Sequence, residues 1–483
     1  MQKIPKEIEV MAAALKKAGF DAYLVGGCVR DILIGREPKD WDVATNAKPE
    51  EIQATFPNSV YENQFGTVAV KAESLGIIEV TTYRKEGRYT DKRHPDEIKF
   101  AGTIEEDLSR RDFTINAIAF GLRASVAQDI VDPFGGRDDL GRKIIRAVGK
   151  PDERFNEDAL RLMRAVRLAA ELGFKIEKAT AAAIKKHSGL LEMIARERLR
   201  DELEKLIMTA GAAEGINLLQ TIGLLRHIMP ELLEGVGVGQ NKHHIYTVFE
   251  HNLRALDYAA RKNYSLVVRL ASLLHDVGKP RTKRGEGPDS TFYNHDLVGA
   301  KMTVKLLDRL HFPKRVVEQV THLVRYHLFY YNVGEVTEAG VRRFIRRVGP
   351  ENIDDLIKVR EADRIGSGVP KAVPYRLRHL LFMIEKVKRD PVSPTMLKVR
   401  GDDVMKIGRL TPGPKIGHIL AVLLEEVLDD PRNNNAVYLK KRTREFCQLP
   451  DAELLAMADK AKKKKEEFEG GLEAEMKSKY YVK

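Results

Sequence analysis

The chain has 483 residues and a net charge of +12, length for about three domains of ordinary size and a charge that favours a polyanionic partner, most simply nucleic acid. No apolar run approaches the ~20 residues that cross a bilayer, and the N-terminus reads as an amphipathic stretch rather than a secretory signal, so no membrane association is expected. Cys28 and Cys447 are the only cysteines. Far apart in sequence, they exclude a disulfide framework and point to a reducing cytoplasm.

The first 140 residues read as mixed α/β. A helix over about 5–18 precedes a strand at 22–25, which runs into Gly26-Gly27-Cys28-Val29-Arg30-Asp31. Asp40 and Asp42 follow in Lys39-Asp40-Trp41-Asp42-Val43. On a strand, alternate side chains share a face, so the two carboxylates are expected to point the same way. Carboxylates that close repel each other unless a cation lies between them. Hard oxygen ligands suit Mg²⁺, which is commonly held by one or two carboxylates and substrate phosphates. Gly27 lets backbone approach a phosphate, and Arg30 can neutralise it. The combination describes a site for a nucleoside triphosphate and its metal.

Two β-rich runs, 67–70 and 77–82, come next. Glu79 in the second is a candidate third carboxylate for a two-metal site, although a rim glutamate accounts for it equally well. Residues 85–100 are polar. In Arg110-Arg111-Asp112-Phe113-Thr114, Arg111 can meet a phosphate and Asp112 a ribose hydroxyl; a helix start with capping charges explains the same residues.

From about residue 141 the pattern is helical. Leu160, Met163, Val166, Leu168 and Leu172 have helical spacing, and Gly173 stops the run. On one helix, Asp158 and Arg161 are neighbours, and Glu157 and Arg161 form an i,i+4 pair. An Asp acceptor beside an Arg donor matches the amino and ring-nitrogen edge of cytosine and of adenine. Guanine and uracil present the reverse and would leave polar groups unpaired. An ordinary helical salt bridge is the plainer reading. Arg164 and Arg167 add more positive charge than one aspartate requires, though ideal geometry turns Arg167 away from Asp158.

Farther on, histidines concentrate between 243 and 327. His251, His275, Asp276 and Asp363 resemble the ligand set of HD phosphohydrolases, with His295 and His327 as further ligands, and imidazole with carboxylate suits Mn²⁺, Ni²⁺, Co²⁺ or Mg²⁺. The alternative is a helical scaffold that only supports RNA. Arg342-Arg343-Phe344-Ile345-Arg346-Arg347 is a basic helical stripe, either an RNA backbone contact or a solvated face. The lysine- and glutamate-rich end is expected to be a frayed helix or loose arm.

The motifs LVGGCVRD (24–31), DWD (40–42), RRDFTINA (110–117), DPFGGRDDL (132–140), NEDALRLMRAVRLAAELGF (156–174) and ERLRDELEKL (197–206) occur in that order. Together with LLHDVGKP at 273–280, they resemble the class II tRNA nucleotidyltransferases, the CCA-adding enzymes, of the bacterial type that carries an HD domain. The resemblance implies an α+β multi-domain chain, a small mixed α/β palm or head followed by all-α neck, body, HD and tail regions. Its expected boundaries are a head at 1–140, a neck with RNA and nucleotide contacts at 141–240, an HD domain at 241–370, a helical region at 371–450 and a flexible tail at 451–483.

It further implies that Asp40 and Asp42 bind Mg²⁺, that Gly27 and Arg30 hold triphosphate, and that Asp158 and Arg161 read the base, with Arg164 and Arg167 lining the pocket. The reaction implied is untemplated addition of CCA, from CTP and ATP, to the 3′ end of tRNA, beside an accessory HD phosphohydrolase. The segment 85–100 resembles a flexible loop that CC-adding relatives lack, which argues for full CCA addition or for A-addition alone. A poly(A) polymerase shares the head motifs, but the run 63–70 and the HD motif count against it. An HD phosphohydrolase with a degenerate transferase head is the rival of another class; intact Asp40 and Asp42 count against that.

Overall fold

The computed structural model describes residues 4–63, 66–87, 98–122, 130–241, 245–388 and 394–482. They form two compact units, one of Met1–Leu328 with Asp354–Ala372 and one of Phe329–Ile353 with Val373–Lys483.

The first unit begins with a sheet built from β1 (Tyr23–Val25), β2 (Asp42–Thr45), β3 (Ser59–Asn63), β4 (Thr67–Ala72) and β5 (Gly76–Thr82). A hairpin of β6 (Arg84–Glu86) and β7 (Ile98–Phe100) stands apart from it, and β8 (Ala119–Gly121) and β9 (Ile130–Val131) complete it. The seven strands run in the order β3-β4-β5-β2-β1-β8-β9, with β2 and β5 parallel and the other pairs antiparallel. Parallel pairing sets Asp42 directly beside Glu79. Ile8, Met11, Ala12 and Leu15, spaced as one helical face, bury the helix Lys6–Lys17. Residues 88–97 of the polar segment lie outside the described residues.

Strand alternation does not align Asp40 with Asp42. β2 starts at Asp42, and Asp40 lies in the bend before it. The expected single helix through 156–167 is also absent. One helix, Pro151–Glu157, ends before Asp158, whose backbone is extended (φ −127°, ψ 104°), and a second runs Arg161–Leu172. The Asp158 carboxylate accepts from the Leu160 N–H at 3.0 Å, a local turn bond that competes with helix continuation. The second helix buries Leu162, Met163, Ala165, Val166, Leu168 and Ala169 and ends at Gly173, where φ is +67°. It packs on the helices Arg196–Ile207 and Ala212–Thr221.

The HD region follows as the helices Val248–Arg261, Leu266–Leu274, His295–Arg309, Lys314–Tyr326 and Ile353–Gly366. Thr247 and Glu250 form a capping box on the first, and Ser265 caps the second. Arg269 ties this region to the end of the helix Arg196–Ile207. It is 1% exposed and donates to the carbonyls of Tyr264, Ala260, Ile207 and Thr209 and to Asn263.

In the second unit, Val404, Ile419, Val422, Leu423, Leu439 and Phe446 share a core with Leu454 and Ala458. The last two belong to the helix Asp451–Tyr480. Of the two expectations for the end of the chain, a frayed helix or a loose arm, the helical one holds, but as a 30-residue helix seated on the helices Pro414–Asp429 and Tyr375–Lys388. Leu454, Ala458 and Ala461 recur at helical spacing beneath the charge run. Lys464–Asp429 (2.6 Å) and Lys386–Glu473 (2.8 Å) pair its flanks.

Candidate active site

A cavity of about 590 Å³ opens beside the head sheet. Asp40 and Asp42 line it with Gly27 and Arg30, and Arg164, Arg167 and Lys205 line it from the helical side. The turn after β1 makes this approach possible. Gly26 holds φ +78°, and a Cβ there would stand 3.0 Å from Arg111 Nη1 and 3.2 Å from Asp42 Oδ2. Burial raises the Asp42 pKa, nearby Arg111 opposes that, and Asp40 adds to it. A carboxylate held this way, beside a second one, is a fitting ligand for a hard cation. Glu79 is exposed on β5 next to Asp42.

Arg30 is buried, bonded to Asn116 Oδ1 at 2.9 Å and paired with Asp31 at 2.9 Å. Arg111 donates to Asp107 at 3.2 Å. Asp112 is buried as well; Arg164 reaches its Oδ2 through Nε (2.8 Å) and Nη2 (2.6 Å), and Asn116 reaches Oδ1. Burial pushes the Asp112 carboxyl up, but the charge and hydrogen bonds of Arg164 outweigh it and hold the group well below the usual carboxylate range. Asp112 thereby positions Arg164.

The side chains of Asp158 and Arg161 are not paired with each other, although the Arg161 N–H donates to the Asp158 carbonyl at 3.1 Å. Arg161 is buried against Glu157 (2.6 Å) and the carbonyls of Arg154 and Arg110, which realises the i,i+4 pair. Asp158 faces Arg198, with contacts of 3.3 and 3.5 Å. Neither Asp158 nor Arg161 is among the residues lining the cavity, whereas Arg164 and Arg167 are. Arg167 is anchored to Glu202 (2.7 Å) and Glu171 (3.1 Å).

Asn116, Arg198, Glu202 and Lys205 carry no role in the sequence reading, although all four lie inside quoted motifs. Arg198, Glu202 and Lys205 recur at i, i+4 and i+7, one helical face, and that spacing was the available signal.

A second cluster forms in the HD region. His251 Nε2 and His275 Nε2 lie 2.8 Å apart, Asp276 Oδ2 is 3.1 and 3.3 Å from them, and Asp363 Oδ1 is 3.3 Å from His251. On the other side of the same carboxylate, Asp276 Oδ1 lies 3.4 Å from His295 and 3.6 Å from His327. All six side chains are buried, and Asp276 is common to two ligand-like triads. Lys279 Nζ stands 2.6 Å from Asp276. Burial lowers the His275 pKa, but Asp276 and Asp363 reverse this and raise it to about 10. Two imidazole nitrogens facing each other among carboxylates are a donor set for a cation. Gly278 allows the crowding, since a Cβ there would fall 2.3 Å from His295 O. His243 and His244 lie outside the described residues.

Residues 22–146 match the model of the poly A polymerase head domain, 173–235 that of the probable RNA and SrmB-binding site of polymerase A, and 248–367 that of the HD domain. The A-adding tRNA nucleotidyltransferase of Deinococcus radiodurans is 36% identical over 418 residues, covering 84% of this chain and 91% of that protein. The chain belongs to the tRNA nucleotidyltransferase family. The CCA-adding enzyme of Geobacillus kaustophilus is 46% identical over 215 residues, 44% of this chain and about half (52%) of that relative. The crystal structure of the Bacillus stearothermophilus CCA-adding enzyme in complex with CTP superposes with a TM-score of 0.59 at 29% identity, covering 92% of this chain and 99% of that one. This nucleotidyltransferase therefore combines a mixed α/β head, helical regions and an HD domain, and its family implies dependence on a divalent metal. Among its described residues, no helix is long and apolar enough to cross a membrane.

Proposed function

We propose that this nucleotidyltransferase adds CCA, from CTP and ATP, to the 3′ end of tRNA without a nucleic-acid template, and that it works in the cytoplasm. The observation that carries the reading is the convergence of Asp40 and Asp42 on one cavity with Arg30, Arg164 and Arg167. The Deinococcus relative favours a second reading, addition of A alone.

Asp40 and Asp42, with Glu79 as a third candidate, would hold Mg²⁺, which when bound supplies activation of the RNA 3′-hydroxyl and charge neutralisation at the departing pyrophosphate. Arg30, kept in place by Asn116 and Asp31, meets the triphosphate, and Gly27 lets it come close to backbone. Arg111 balances Asp42, and Asp112 holds the Arg164 guanidinium at the pocket wall. Asp158 and Arg161 would read the base edge, as the resemblance implies, although they do not line the cavity beside Arg164 and Arg167. Arg198 pairs with Asp158 and Glu157 with Arg161, so a base read by these two side chains would compete with those partners.

The decisive experiment uses labelled tRNAs lacking the last three, two or one nucleotides, supplied with CTP, ATP or both. CCA addition extends all three; an A-adding enzyme extends only the last. Asp40→Ala or Asp42→Ala should abolish extension and leave tRNA binding and fold intact, and near-normal extension by either would overturn the site assignment.

For the HD region we propose a metal-dependent phosphohydrolase acting on RNA-terminal or cyclic 2′,3′-phosphates. His251, His275, Asp276 and Asp363 would hold a first ion (Mn²⁺, Ni²⁺, Co²⁺ or Mg²⁺), with His295 and His327 on the other side of Asp276. Hydrolysis of 2′,3′-cyclic nucleotides with these metals, lost in His275→Ala and Asp276→Ala while addition survives, is the expected outcome. Absence of hydrolysis with every metal leaves this region a scaffold.

A further inference from the structure

We propose that the second unit captures an unstacked base of the RNA substrate in a pocket between Phe329–Tyr331 and the helix Glu338–Val348, with the adjoining phosphates on Arg343 and Arg347. The pocket rests on the RNA-directed reading above, but it lies in a different unit from the transferase site.

It measures about 380 Å³, within the range of small-molecule sites (roughly 300–1,000 Å³). Phe329, Tyr330, Tyr331 and Phe344 supply aromatic walls, and Leu380 adds an apolar side chain. The Phe329 and Phe344 rings stand 5.1 Å apart between centroids, at 50°. The Tyr330 ring is 71% exposed, yet its hydroxyl is fixed by Glu335 and Asn332. Tyr331 is fixed through its hydroxyl on His379. The two tyrosine rings are orientated in advance and Tyr330 stays wet, a costly arrangement for apolar surface without a partner.

The helix explains why arginines border the same pocket. Gly340, Arg343, Phe344 and Arg347 recur at i, i+3, i+4 and i+7, one helical face, while Val341 and Val348 are buried. Arg342 pairs with Glu338 at 3.3 Å. Among the described residues, Arg343, Arg346 and Arg347 have no acidic partner, and all three are exposed. Aromatic faces beside unneutralised guanidinium groups are the recognition chemistry of unpaired nucleotides: rings take a base, and cations take its phosphates. An acidic peptide would satisfy the arginines but not the rings, so RNA is the occupant that fits both halves. With no buried donor or acceptor called on to read a base edge, capture depends on stacking and tolerates sequence.

The test uses the full chain, with Tyr330→Ala, Tyr330→Phe and the double variant Arg343→Gln/Arg347→Gln. Binding of intact tRNA is followed by fluorescence anisotropy over a salt series, and the KM for tRNA, the KM for CTP and kcat are measured in parallel. Tyr330→Ala should weaken tRNA binding about tenfold, and Tyr330→Phe should restore most of it. The arginine variant should weaken binding similarly and flatten the log–log salt dependence by about one to two. KM for CTP and kcat should stay as in the wild type. Unchanged tRNA affinity in both sets overturns the proposal; a loss confined to the arginine variant overturns base capture, leaving charge alone. If the wild type does not extend tRNA, the transferase reading fails, while the anisotropy series still decides the pocket.

Discussion

Arg164→Met tests the pairing that shapes the nucleotide pocket. It removes the cation bonded twice to the buried Asp112 and leaves that carboxylate, among the described residues, with hydrogen bonds from Asn116 and the Phe113 N–H and the weaker influence of the Arg161 charge. Breaking a fully buried pair costs about 3–5 kcal/mol. The Arg164 side chain is 35% exposed, so water screens part of the interaction and about 2–3 kcal/mol is expected near pH 7.5. Because Asp112 titrates below its unfolded value of about 3.9, its stabilisation is complete above that value and fades as pH falls through the folded pKa. In the variant, the buried carboxyl lacks its cation and takes up a proton more readily, so the gap to wild type narrows from pH 7.5 to pH 4.5. Urea unfolding followed by fluorescence reads this directly, since Trp41, the only tryptophan, sits between Asp40 and Asp42. With a slope of about 2–3 kcal/mol per molar urea, the midpoint should drop by about 1 M at pH 7.5. A loss of equal size at both pH values would mean that packing, not charge, is at stake.

Asp158→Ala or Arg161→Ala should relax the preference for CTP and ATP over UTP and GTP in competition assays; retention of wild-type discrimination and rate by either places base reading elsewhere. Arg161→Ala should also lower stability by about 1–3 kcal/mol, because Glu157 and the Arg110 carbonyl lose a buried donor. Arg269→Met should cost about 2–4 kcal/mol in the same urea assay, since buried carbonyls at the ends of two helices lose their donor and no carboxylate is freed in exchange. A loss below about 0.5 kcal/mol would show that water replaces those bonds.

Part of what gathers at the cavity was legible in the residues themselves. Asp40, Asp42, Gly27 and Arg30 lie close in sequence and share one cavity, and strand periodicity marked β1, β4 and β5, because both depend on neighbours in sequence. Gly173 likewise announced a helix end that the backbone realises with a positive φ. The gathering of His251, His275, Asp276, His295, His327 and Asp363 into one cluster required five helices to pack, which no local rule encodes. Local rules also misplaced three features, the first being Asp40, which lies in a bend before β2 rather than on the strand with Asp42. The turn bond from Asp158 to Leu160 broke a helix that periodicity had drawn as continuous, and the lysine-rich end found a partner surface for Leu454, Ala458 and Ala461. Most of all, tertiary structure chose the partners of the charges. Arg161 took Glu157, Asp158 took Arg198, Arg164 took Asp112 and Arg167 took Glu202, a choice made by which side chains burial leaves within reach. Sequence determines which groups can bond, whereas a buried charge bonds whatever the packed chain brings to it, because leaving it unpaired costs more than any local preference returns.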